Sequence, residues 1–482
     1  MSDVKVRERS PAPAPEREAV ARQIARGRAA MRAFAQGGQG GADQQRVDEV
    51  VTALAWSLYK PENARALAEL AVRDTGLGNV ADKVTKNQRK TFGTLRDLMR
   101  VRSVGVIEED IGRGIVKYAK PVGVVGAICP STNPAATPVN KAMMALKGAN
   151  AVVIAPSPAG AETTTRTVEL MRQALARIGA PEDLVQVLAS PVTKEATQAL
   201  MELCDLIVCT GSQDNVRRAY RSGTPAIGVG AGNVPVIIDA SADMADAARK
   251  IRLSKCFDNA TSCSSENSVV ILDAIFDKAM AALLAEGGYV CNAGEQRRLQ
   301  DALWSDGKLN RAWIAKDAEV IAAAAGLPAK AKGARFFMVE ETGVGRAQPF
   351  SGEKLSLVLT VYRAADFAAA RDRVAEILAY QGMGHSCGIH TKDMGHAHAL
   401  AATLDVVRVL VNQAHTFGNG GSFDNGLNFT LSMGCGTWAR NSISENLNWR
   451  HFVNITHLST TIPEDRPSEE DLFGALWAKY GK

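Results

Sequence analysis

The sequence predicts an α/β protein with parallel sheets that are covered by helices on both faces. Short apolar runs of strand length recur from residue 115 onward, as in AVVIAP at 151–156 and LIVCTG at 206–211. Each run is followed by a segment with apolar residues at every third or fourth position, which is typical of a helix. Strands that alternate with helices predict a doubly wound parallel sheet, and such sheets bind ligands beyond the carboxyl ends of their strands.

Length and composition indicate a soluble protein with more than one domain. The chain has 482 residues, of which 46% are hydrophobic and 22% are charged, and this length predicts two large domains. The net charge of +5 is not accompanied by a run of Lys and Arg residues, so nucleic-acid binding is not expected. No stretch reaches the ~18 apolar residues that would span a bilayer, so no membrane contact is expected.

The amino terminus and the cysteines indicate in which cellular compartment the protein is expected. Residues 1–18 combine charges with prolines and alanines and contain no apolar core, which predicts a disordered leader and not a secretory signal. The eight cysteines are scattered without the paired spacing of a metal site or a disulfide framework. We therefore expect a cytoplasmic protein without a bound metal.

The order of elements predicts how the chain is divided. Three periodic segments before residue 115 predict helices, and the strand–helix alternation follows them. A second strand–helix region begins after Asn233, and the tail ends in a short amphipathic helix. The predicted units are a leader at 1–18, a first α/β domain at 19–233, a second α/β domain at 234–433 and a tail at 434–482.

Two glycine-containing turns are candidate phosphate sites. In CTGSQDN, a strand ends at Gly211 and Ser212 is placed to cap the helix that follows. A helix amino terminus offers N–H groups and a positive dipole end to a phosphate, although an ordinary helix cap has the same residues. The run GVGAGN at 228–233, which contains Gly230, resembles a dinucleotide fingerprint, but a close-packed glycine turn is the alternative.

Cys263 is the candidate nucleophile. Its neighbours are small and hydroxylated, as the stretch DNATSCSSENSVV shows, whereas a cysteine that only fills a core has apolar neighbours. A nucleophilic thiol needs a nearby base or a lowered pKa. His385, in GMGHSCGIH, is the candidate base, and a loop histidine bonded to backbone is the alternative. Cys387 and His390 beside it are too few to predict a metal site.

Together these segments resemble the aldehyde dehydrogenase superfamily, and in particular its CoA-acylating branch. The resemblance runs from about residue 19 to residue 457, and no single motif carries it. The matching segments, in chain order, are PVGVVGAICPSTNP, KGANAVVIAPSP, CTGS, SGTPAIGVGAGNVPVIID, FDNATSCSSENSVV, EKLSLVL, GMGHSCGIH and GCGTWARNSISEN.

The resemblance implies roles for individual residues. The first domain is expected to bind a dinucleotide, NAD or NADP, with a smaller oligomerisation arm near 112–120 that works with the tail. Cys263 falls on the catalytic cysteine, and His385 on a histidine proposed as acid or base in the acylating branch. The residues expected at the cofactor are Pro156, Ser157, Gly211, Ser212, Gly230 and Glu353.

The same resemblance identifies the expected oxyanion donor as one of two adjacent residues. Asn133, or Thr132 if the loop is shifted by one residue, falls near the asparagine that donates to the oxyanion.

Two departures from the hydrolytic branch also matter. Gly228 stands where hydrolytic members carry the glutamate that activates water, and Ala155 stands where they carry a lysine of the adenosine loop. The first departure favours CoA over water as the acyl acceptor, and the second leaves NAD and NADP open.

The function expected from the resemblance is oxidation of an aldehyde to an acyl-CoA through a Cys263 thioester. The pattern from residue 417 to residue 454 is similar to acylating sulfoacetaldehyde dehydrogenases, and Arg440 is the candidate cation for the sulfonate, with a surface role as the alternative. An acetylating acetaldehyde enzyme, a hydrolytic aldehyde dehydrogenase and a non-catalytic binding relative are the other candidates. The family forms dimers or tetramers, so we expect a homodimer or homotetramer.

Overall fold

The computed structural model describes residues 14–36 and 43–482. Its helices are α1 (Ala14–Ala35), α2 (Gln44–Tyr59), α3 (Pro61–Thr75), α4 (Val80–Met99), α5 (Ala136–Lys147), α6 (Ala161–Arg177), α7 (Lys194–Leu203), α8 (Gln213–Tyr220), α9 (Met244–Cys256), α10 (Phe276–Ala285), α11 (Ala293–Leu303), α12 (Ala318–Ala324), α13 (Phe367–Tyr380), α14 (Met394–Thr403), α15 (His415–Gly418) and α16 (Glu469–Tyr480). None of these described helices is both long and apolar enough to cross a membrane.

The strands form two parallel sheets, an antiparallel sheet and a small hairpin. They are β1 (Gly105–Asp110), β2 (Ile115–Pro121), β3 (Val124–Ile128), β4 (Ala151–Ala155), β5 (Val185–Val187), β6 (Leu206–Cys209), β7 (Ala226–Gly228), β8 (Val234–Ile238), β9 (Glu266–Leu272), β10 (Gly288–Val290), β11 (Trp304–Ser305), β12 (Lys308–Leu309), β13 (Phe336–Glu340), β14 (Val358–Ala364), β15 (Gly384–His390), β16 (Val406–Val411) and β17 (Val453–Ser459).

The first parallel sheet has the doubly wound order that the sequence predicts. Its five strands lie in the order β5-β4-β3-β6-β7. The chain therefore moves from β3 to one side for β4 and β5, and to the other side for β6 and β7. Ile128 at the end of β3 pairs with Ala155 and with Cys209, so three strands end side by side at this switch point. Ligands of such sheets bind at this crevice.

The second parallel sheet begins immediately after the first. Its seven strands lie in the order β10-β13-β14-β9-β8-β15-β16, and β8 starts at Val234. Val234 pairs with Glu266 at the start of β9. The strands β8, β9 and β15 all begin close to the segment 228–233 that leaves β7, so the amino ends of this sheet lie beside that segment. The predicted α/β fold is confirmed.

The third sheet extends away from these two. It is antiparallel, in the order β1-β2-β17, and pairs Val453–Ser459 of the tail with residues 115–121. The predicted arm at 112–120 therefore consists mostly of β2. Along β17 every residue after Val453 is exposed, and α16 that follows exposes Leu472, Leu476 and Tyr480.

The first helix corrects the predicted leader. Helix α1 begins at Ala14, so residues 14–18 are helical, while residues 1–13 lie outside the described part of the chain. Pro15 is tolerated in the first turn of a helix because its missing N–H has no partner to lose there, and Glu16 is favourable near the positive end of the helix dipole.

Helix α4 is the main element that the sequence pattern did not predict. Its buried face includes Lys83, Lys86 and Lys90, residues that a hydrophobicity pattern assigns to the solvent side. The same face carries Gly93, whose Cα lies against the ring of Phe429. The helix therefore connects the first 100 residues to the segment 417–433.

We predict that Gly93→Ala destabilises the protein. In an exposed helix this change would stabilise slightly, but here the new Cβ would overlap the buried Phe429 ring. Overpacking of this kind typically costs about 1–3 kcal/mol. A lower midpoint of thermal unfolding would show it. The control is Gly426→Ala, where the added Cβ meets nothing within 4 Å. Equal midpoints for the two variants would contradict this packing.

Candidate active site

Cys263 lies in a turn between α9 and β9, in a segment with unusual backbone geometry. The three residues Asp258, Asn259 and Ala260 have φ values of 50°, 53° and 61°. Left-handed geometry is unfavourable for residues that carry a Cβ, and it persists only where the surroundings hold it. Ser265 N–H closes the turn on the carbonyl oxygen of Ser262 at 3.0 Å, which places Cys263 at its tip, half-buried.

The side chain of Asp258 holds this segment in place. It is completely buried and accepts hydrogen bonds from Lys83 Nζ at 3.0 Å, from Lys86 Nζ, from Thr261 Oγ1 at 2.7 Å and from the backbone N–H of Asn79 at 3.0 Å. Burial opposes its ionisation, but Lys86 and Lys83 outweigh burial and hold the pKa of Asp258 below its usual range. Asp258 is therefore ionised and saturated with donors.

Lys83 also connects the cysteine segment to the first sheet. Its Nζ lies 3.4 Å from the carbonyl oxygen of Thr132, in the loop after β3. Asn133 follows in that loop, and its Oδ1 is buried without a partner among the described residues, while its Nδ2 lies 3.4 Å from Thr132 Oγ1. The two predicted oxyanion donors thus lie in one loop, which Lys83 ties to Asp258.

The glycine segment at 228–233 packs directly on the cysteine. A Cβ added to Gly232 would lie 2.7 Å from Cys263 Cβ, and one added to Gly230 would lie 2.8 Å from Cys435 Sγ. No helix follows this segment, since β8 begins at Val234. The fingerprint interpretation of Gly230 is therefore wrong, and the close-packed alternative is correct, because Gly230 is buried under the tail.

Gly228 has no room for a side chain. A Cβ at this position would lie 2.6 Å from Val216 Cγ1 and 2.8 Å from Tyr220 Cε2. The N–H of Gly228 donates to the Tyr220 hydroxyl at 2.8 Å, which keeps the ring in place. The position where hydrolytic relatives carry a water-activating glutamate is thus filled by the side chains of α8.

Two buried cations act on the Cys263 thiol. Burial, aided by Glu353 and Cys435, raises the pKa of Cys263 to about 12, while Ser264 and Arg408 oppose the increase. Lys90 is buried as well, and its pKa falls to about 7 because of burial and of the neighbouring cations Arg89 and Lys86, while Cys263 opposes the decrease. In this state the thiol is protonated near neutral pH, so its attack needs a base.

Arg408 holds strand β15 and the segment 434–446 together by hydrogen bonds. It lies on β16, and its guanidinium donates to the carbonyl oxygens of His385 and Gly434, both at 2.9 Å, and to Asn446 Oδ1 at 3.0 Å. Most of its donors are therefore used by the protein itself. Its remaining effect on Cys263 is that of a nearby positive charge.

His385 lies at the start of β15 and not in a loop, so the loop alternative is wrong. Gly384 before it has φ +79°, and its Cα lies against the carbonyl of Cys435, which brings β15 to the same pocket. The histidine is 1% exposed, and burial, aided by Arg408, lowers its pKa to about 3. It is therefore neutral at physiological pH, and its Nε2 has no hydrogen-bond partner among the described residues.

The predicted cofactor residues lie at the switch point of the first sheet. Pro156 and Ser157 follow β4, and Gly211 and Ser212 follow β6, where Ser212 caps α8 by accepting from Asn215 N at 3.3 Å. A Cβ added to Gly211 would meet nothing closer than Asn215 at 3.9 Å, so space in front of α8 is open to a phosphate.

Glu353 lies on the other side of the site. Burial raises its pKa to about 8, and Lys354 and Lys255 oppose that increase. Its charge in turn raises the pKa of Cys263, which indicates that the carboxyl group is close to the thiol. A carboxyl group there fits the role of an acceptor for a ribose hydroxyl of a bound dinucleotide.

Comparison with known proteins agrees with this arrangement. The model of the aldehyde dehydrogenase family matches residues 13–296. An acylating sulfoacetaldehyde dehydrogenase of Cupriavidus necator is 55% identical over 466 residues, which cover 96% of this chain and 94% of that protein. The chain belongs to the aldehyde dehydrogenase family.

Further relatives of this aldehyde dehydrogenase agree with the predicted branch. An acylating sulfoacetaldehyde dehydrogenase of Bilophila wadsworthia is 45% identical and covers 91% of this chain and 95% of that protein. The crystal structure of an acetylating aldehyde dehydrogenase from Geobacillus thermoglucosidasius has a TM-score of 0.89 at 34% identity, and the match covers 94% of this chain and 99% of that chain. The resemblance to the acylating branch is confirmed.

Arg440 lies apart from the buried part of the site. It ends the short turn of residues 437–439 with a left-handed backbone, and its side chain is exposed. Its neighbour Ala439, and not Arg440 itself, approaches Gly230. Among residues 14–36 and 43–482, no cluster of His, Cys, Asp or Glu has a metal-binding arrangement.

Sequence analysis missed several residues of this aldehyde dehydrogenase site. They are Lys83, Lys86, Lys90, Asp258, Ser386, Arg408, His415 and Cys435. The lysines of α4 recur at intervals of three and four, so they share one helix face, and this spacing was the available signal. A charged face of this kind is usually solvated, and only the fold shows that it is buried.

We predict that Asp258→Asn destabilises the enzyme strongly. The change leaves Lys83 and Lys86 buried without their counter-ion, and breaking a buried pair in this way costs about 3–5 kcal/mol. The midpoint of thermal unfolding should fall accordingly. The matched control is Asp273→Asn, whose pair with Arg363 is half exposed and is worth less than about 1 kcal/mol. A midpoint for Asp258→Asn as high as that of the control would contradict the role of Asp258.

Proposed function

We propose that this aldehyde dehydrogenase converts sulfoacetaldehyde and CoA to the corresponding acyl-CoA through a thioester on Cys263. The observation that carries the acyl-acceptor assignment is Gly228, whose position is filled by Val216 and Tyr220. A thioester beside it has no carboxylate there to activate water. A thiol is a better nucleophile than water near neutral pH and needs less activation.

The residues of the chain support each covalent step. Cys263 Sγ attacks the carbonyl carbon, and the thiol proton leaves to the neutral His385. The negative charge that develops on the oxygen is stabilised by Asn133 or Thr132 and by backbone N–H groups of the turn. After oxidation to the thioester, the CoA sulfur attacks the acyl carbon and Cys263 Sγ is released. His385 loses the first proton to solvent before CoA enters, then takes the proton of the CoA thiol and returns it to the departing Cys263 Sγ.

The oxidation requires a nicotinamide dinucleotide, NAD or NADP, which accepts a hydride when bound. Ser157 and Pro156 after β4 are placed to contact its adenosine part, and Gly211 and Ser212 after β6 its phosphates. Glu353 beside Cys263 is placed to accept a hydrogen bond from the ribose next to the nicotinamide. Because Ala155 stands where hydrolytic members carry a lysine, the 2′ position of the adenosine ribose would lack that positive charge.

A buried cation supports an anionic aldehyde as the substrate. Lys90 Nζ has three N–H donors, and among the described residues it bonds only the carbonyl oxygen of Gly420, at 2.8 Å. The charged groups that shift its pKa are Arg89, Lys86 and Cys263, none of which is a carboxylate. Lys90 is connected to the nucleophile turn through Asn419, the residue before Gly420, which donates to Ser264 Oγ at 2.9 Å.

A sulfonate at Lys90 would satisfy its unused donors and balance its charge. Relatives named as sulfoacetaldehyde dehydrogenases support a sulfonate-bearing substrate. The assignment replaces Arg440 as the candidate cation, because Arg440 is exposed while Lys90 is buried and its pKa responds to Cys263.

We also propose that the enzyme is a homo-oligomer. The arm of β1, β2 and β17 exposes Ile111 and Leu458, and α16 exposes Leu472, Phe473 and Leu476. Apolar side chains concentrated on an extended sheet and a terminal helix favour contact with a second copy.

We predict that turnover depends on CoA. Without CoA, the enzyme should release a single equivalent of NAD(P)H per site and then stop, because the Cys263 thioester has no activated water. Adding CoA should restore continuous turnover. Stopped-flow absorbance of NAD(P)H measures both phases. Continuous turnover to the carboxylate without CoA would identify a hydrolytic enzyme instead.

The same assay tests the nucleophile. Cys263→Ala should abolish both the burst and the turnover, because no thiohemiacetal forms. The matched control is Cys256→Ala, which removes a thiol that lies outside the site and contacts Arg335 O. A burst in Cys263→Ala would refute this assignment, and so would its loss in Cys256→Ala.

We predict that Lys90→Met raises KM for sulfoacetaldehyde about 10- to 100-fold, the loss expected for a charge-assisted contact. KM for acetaldehyde should stay nearly constant, which controls for folding. In the wild type, Lys90 is charged below its pKa of about 7 and neutral above it. KM for sulfoacetaldehyde should therefore rise as the pH increases above about 7, and this rise should be absent in Lys90→Met. An equal change for both aldehydes would contradict the sulfonate contact.

A further inference from the structure

Three buried side chains form a continuous hydrogen-bonded row, and the predicted base His385 is the first of them. His385 Nδ1 lies 2.8 Å from Ser386 Oγ, and the same oxygen lies 2.9 Å from His415 Nε2. All three residues are at most 1% exposed. Ser386 therefore stands between two imidazole rings, on β15, while His415 begins α15.

The position of His415 is built into the fold. Its backbone N–H donates to Glu266 Oε1 at 3.1 Å, at the start of β9. Its ring lies against Gly388 of β15, where an added Cβ would be 3.1 Å from His415 Nδ1. A strand residue with a side chain at 388 would therefore crowd the ring, and glycine leaves the space that the ring uses.

The outer nitrogens of the row have no hydrogen-bond partner within the described chain. They are His385 Nε2 and His415 Nδ1. Buried polar atoms are normally paired, so an unpaired one at a reactive site indicates a group that a ligand or a reaction step uses. The His385 carbonyl is bonded to Arg408, which acts on Cys263. His385 Nε2 is therefore the nitrogen available for proton transfer at the site.

The row couples the tautomers of the two histidines. A hydroxyl has one proton, so Ser386 can donate to only one of the rings at a time. When it donates to His415 Nε2, it accepts from His385 Nδ1–H, and the lone pair of His385 is on Nε2. When it donates to His385 Nδ1, the Nε2 of His385 carries the proton and cannot act as a base.

We propose that His415, acting through Ser386, is a positioning residue that keeps His385 in the tautomer with a free lone pair on Nε2. His415 Nε2 accepts a hydrogen bond from the Ser386 hydroxyl, and Ser386 Oγ accepts a hydrogen bond from His385 Nδ1–H. When His385 Nε2 takes the proton of the CoA thiol, the resulting imidazolium keeps its Nδ1–H bond to Ser386. Ser386 and His415 retain their own protons throughout. This is the role of the third group that orients a catalytic base, performed here by neutral side chains.

This inference rests on the proposed function only for the identity of the proton that His385 removes. The tautomer itself is a property of the protein without substrate. The test therefore combines a spectroscopic measurement on the free enzyme with a step-resolved kinetic measurement.

The first measurement is ¹⁵N NMR of the imidazoles in protein labelled at histidine, with His385→Asn used to assign the His385 signals. We expect His385 to be protonated at Nδ1 in the wild type and at Nε2 in His415→Met, because Ser386 then has no acceptor except His385. Ser386→Thr keeps a hydroxyl and should keep the wild-type tautomer. A wild-type His385 protonated at Nε2, or an unchanged tautomer in His415→Met, would overturn the proposal.

The second measurement separates the two half-reactions by stopped flow. The rate at which CoA removes the acyl group should fall at least about 10-fold in His415→Met, the scale of losing general-base assistance. His415→Gln keeps an acceptor near the Nε2 position and should recover most of that rate. The matched control is His390→Met, which replaces another buried histidine of β15 outside the row and should change neither rate nor tautomer.

The outcomes separate this proposal from the proposed function. A wild-type enzyme that does not respond to CoA would refute the acylating function, while the NMR comparison would still decide the role of His415. A purely structural role would lower the rates without changing the His385 tautomer and would not be recovered by Gln, and this result would overturn the proposal. If His415→Met does not fold, Ser386→Ala with Ser386→Thr as its rescue gives the same comparison.

Discussion

The buried ion pairs of Asp258 are the interaction on which the rest of the site depends. Three consecutive left-handed residues lead to Cys263, and such a backbone holds its shape only under strong local constraint. Asp258 supplies that constraint by binding Lys83 and Lys86 of α4, and Lys83 also reaches the Thr132 loop of the first sheet. One carboxylate therefore joins a helix, the nucleophile turn and the loop of the oxyanion donors.

Burial determines the electrostatics of the site. It raises the pKa of the Cys263 thiol and of Glu353, and it lowers the pKa of His385 and of Lys90. All four groups are therefore shifted toward their neutral forms, which suits a site that handles a proton, a hydride and a thiol in succession. The cations Lys90 and Arg408 remain near the thiol without a carboxylate partner of their own. An oxyanion and an anionic substrate would complete the charge balance that the protein leaves open.

The α/β class is confirmed and Cys263 stays the predicted nucleophile, and both predictions were possible because they depend on local patterns. Strand runs and helix periodicity are visible along the chain, and Cys263 has unusual neighbours over only a few residues. Helix α4 could not be recognised in the same way, since its lysines are buried by ion pairs and not by apolar contacts. Strand β15 was missed because glycines and small polar residues replace the apolar run that a buried strand normally shows. Lys90 was not considered as the sulfonate cation, because the sequence does not reveal which cations are buried.

The sequence by itself determined the identity of the chemical groups: a thiol among small residues, a histidine between glycines, and a glycine at position 228. Their order along the chain was enough to identify the family, because a series of short motifs is specific even when each motif is weak. Tertiary structure alone decided which groups act together. Cys263, Lys90, His385 and His415 lie on four separate elements, and their pKa values depend on burial and on neighbours distant in sequence. These are properties of packing, and no local pattern of residues contains them.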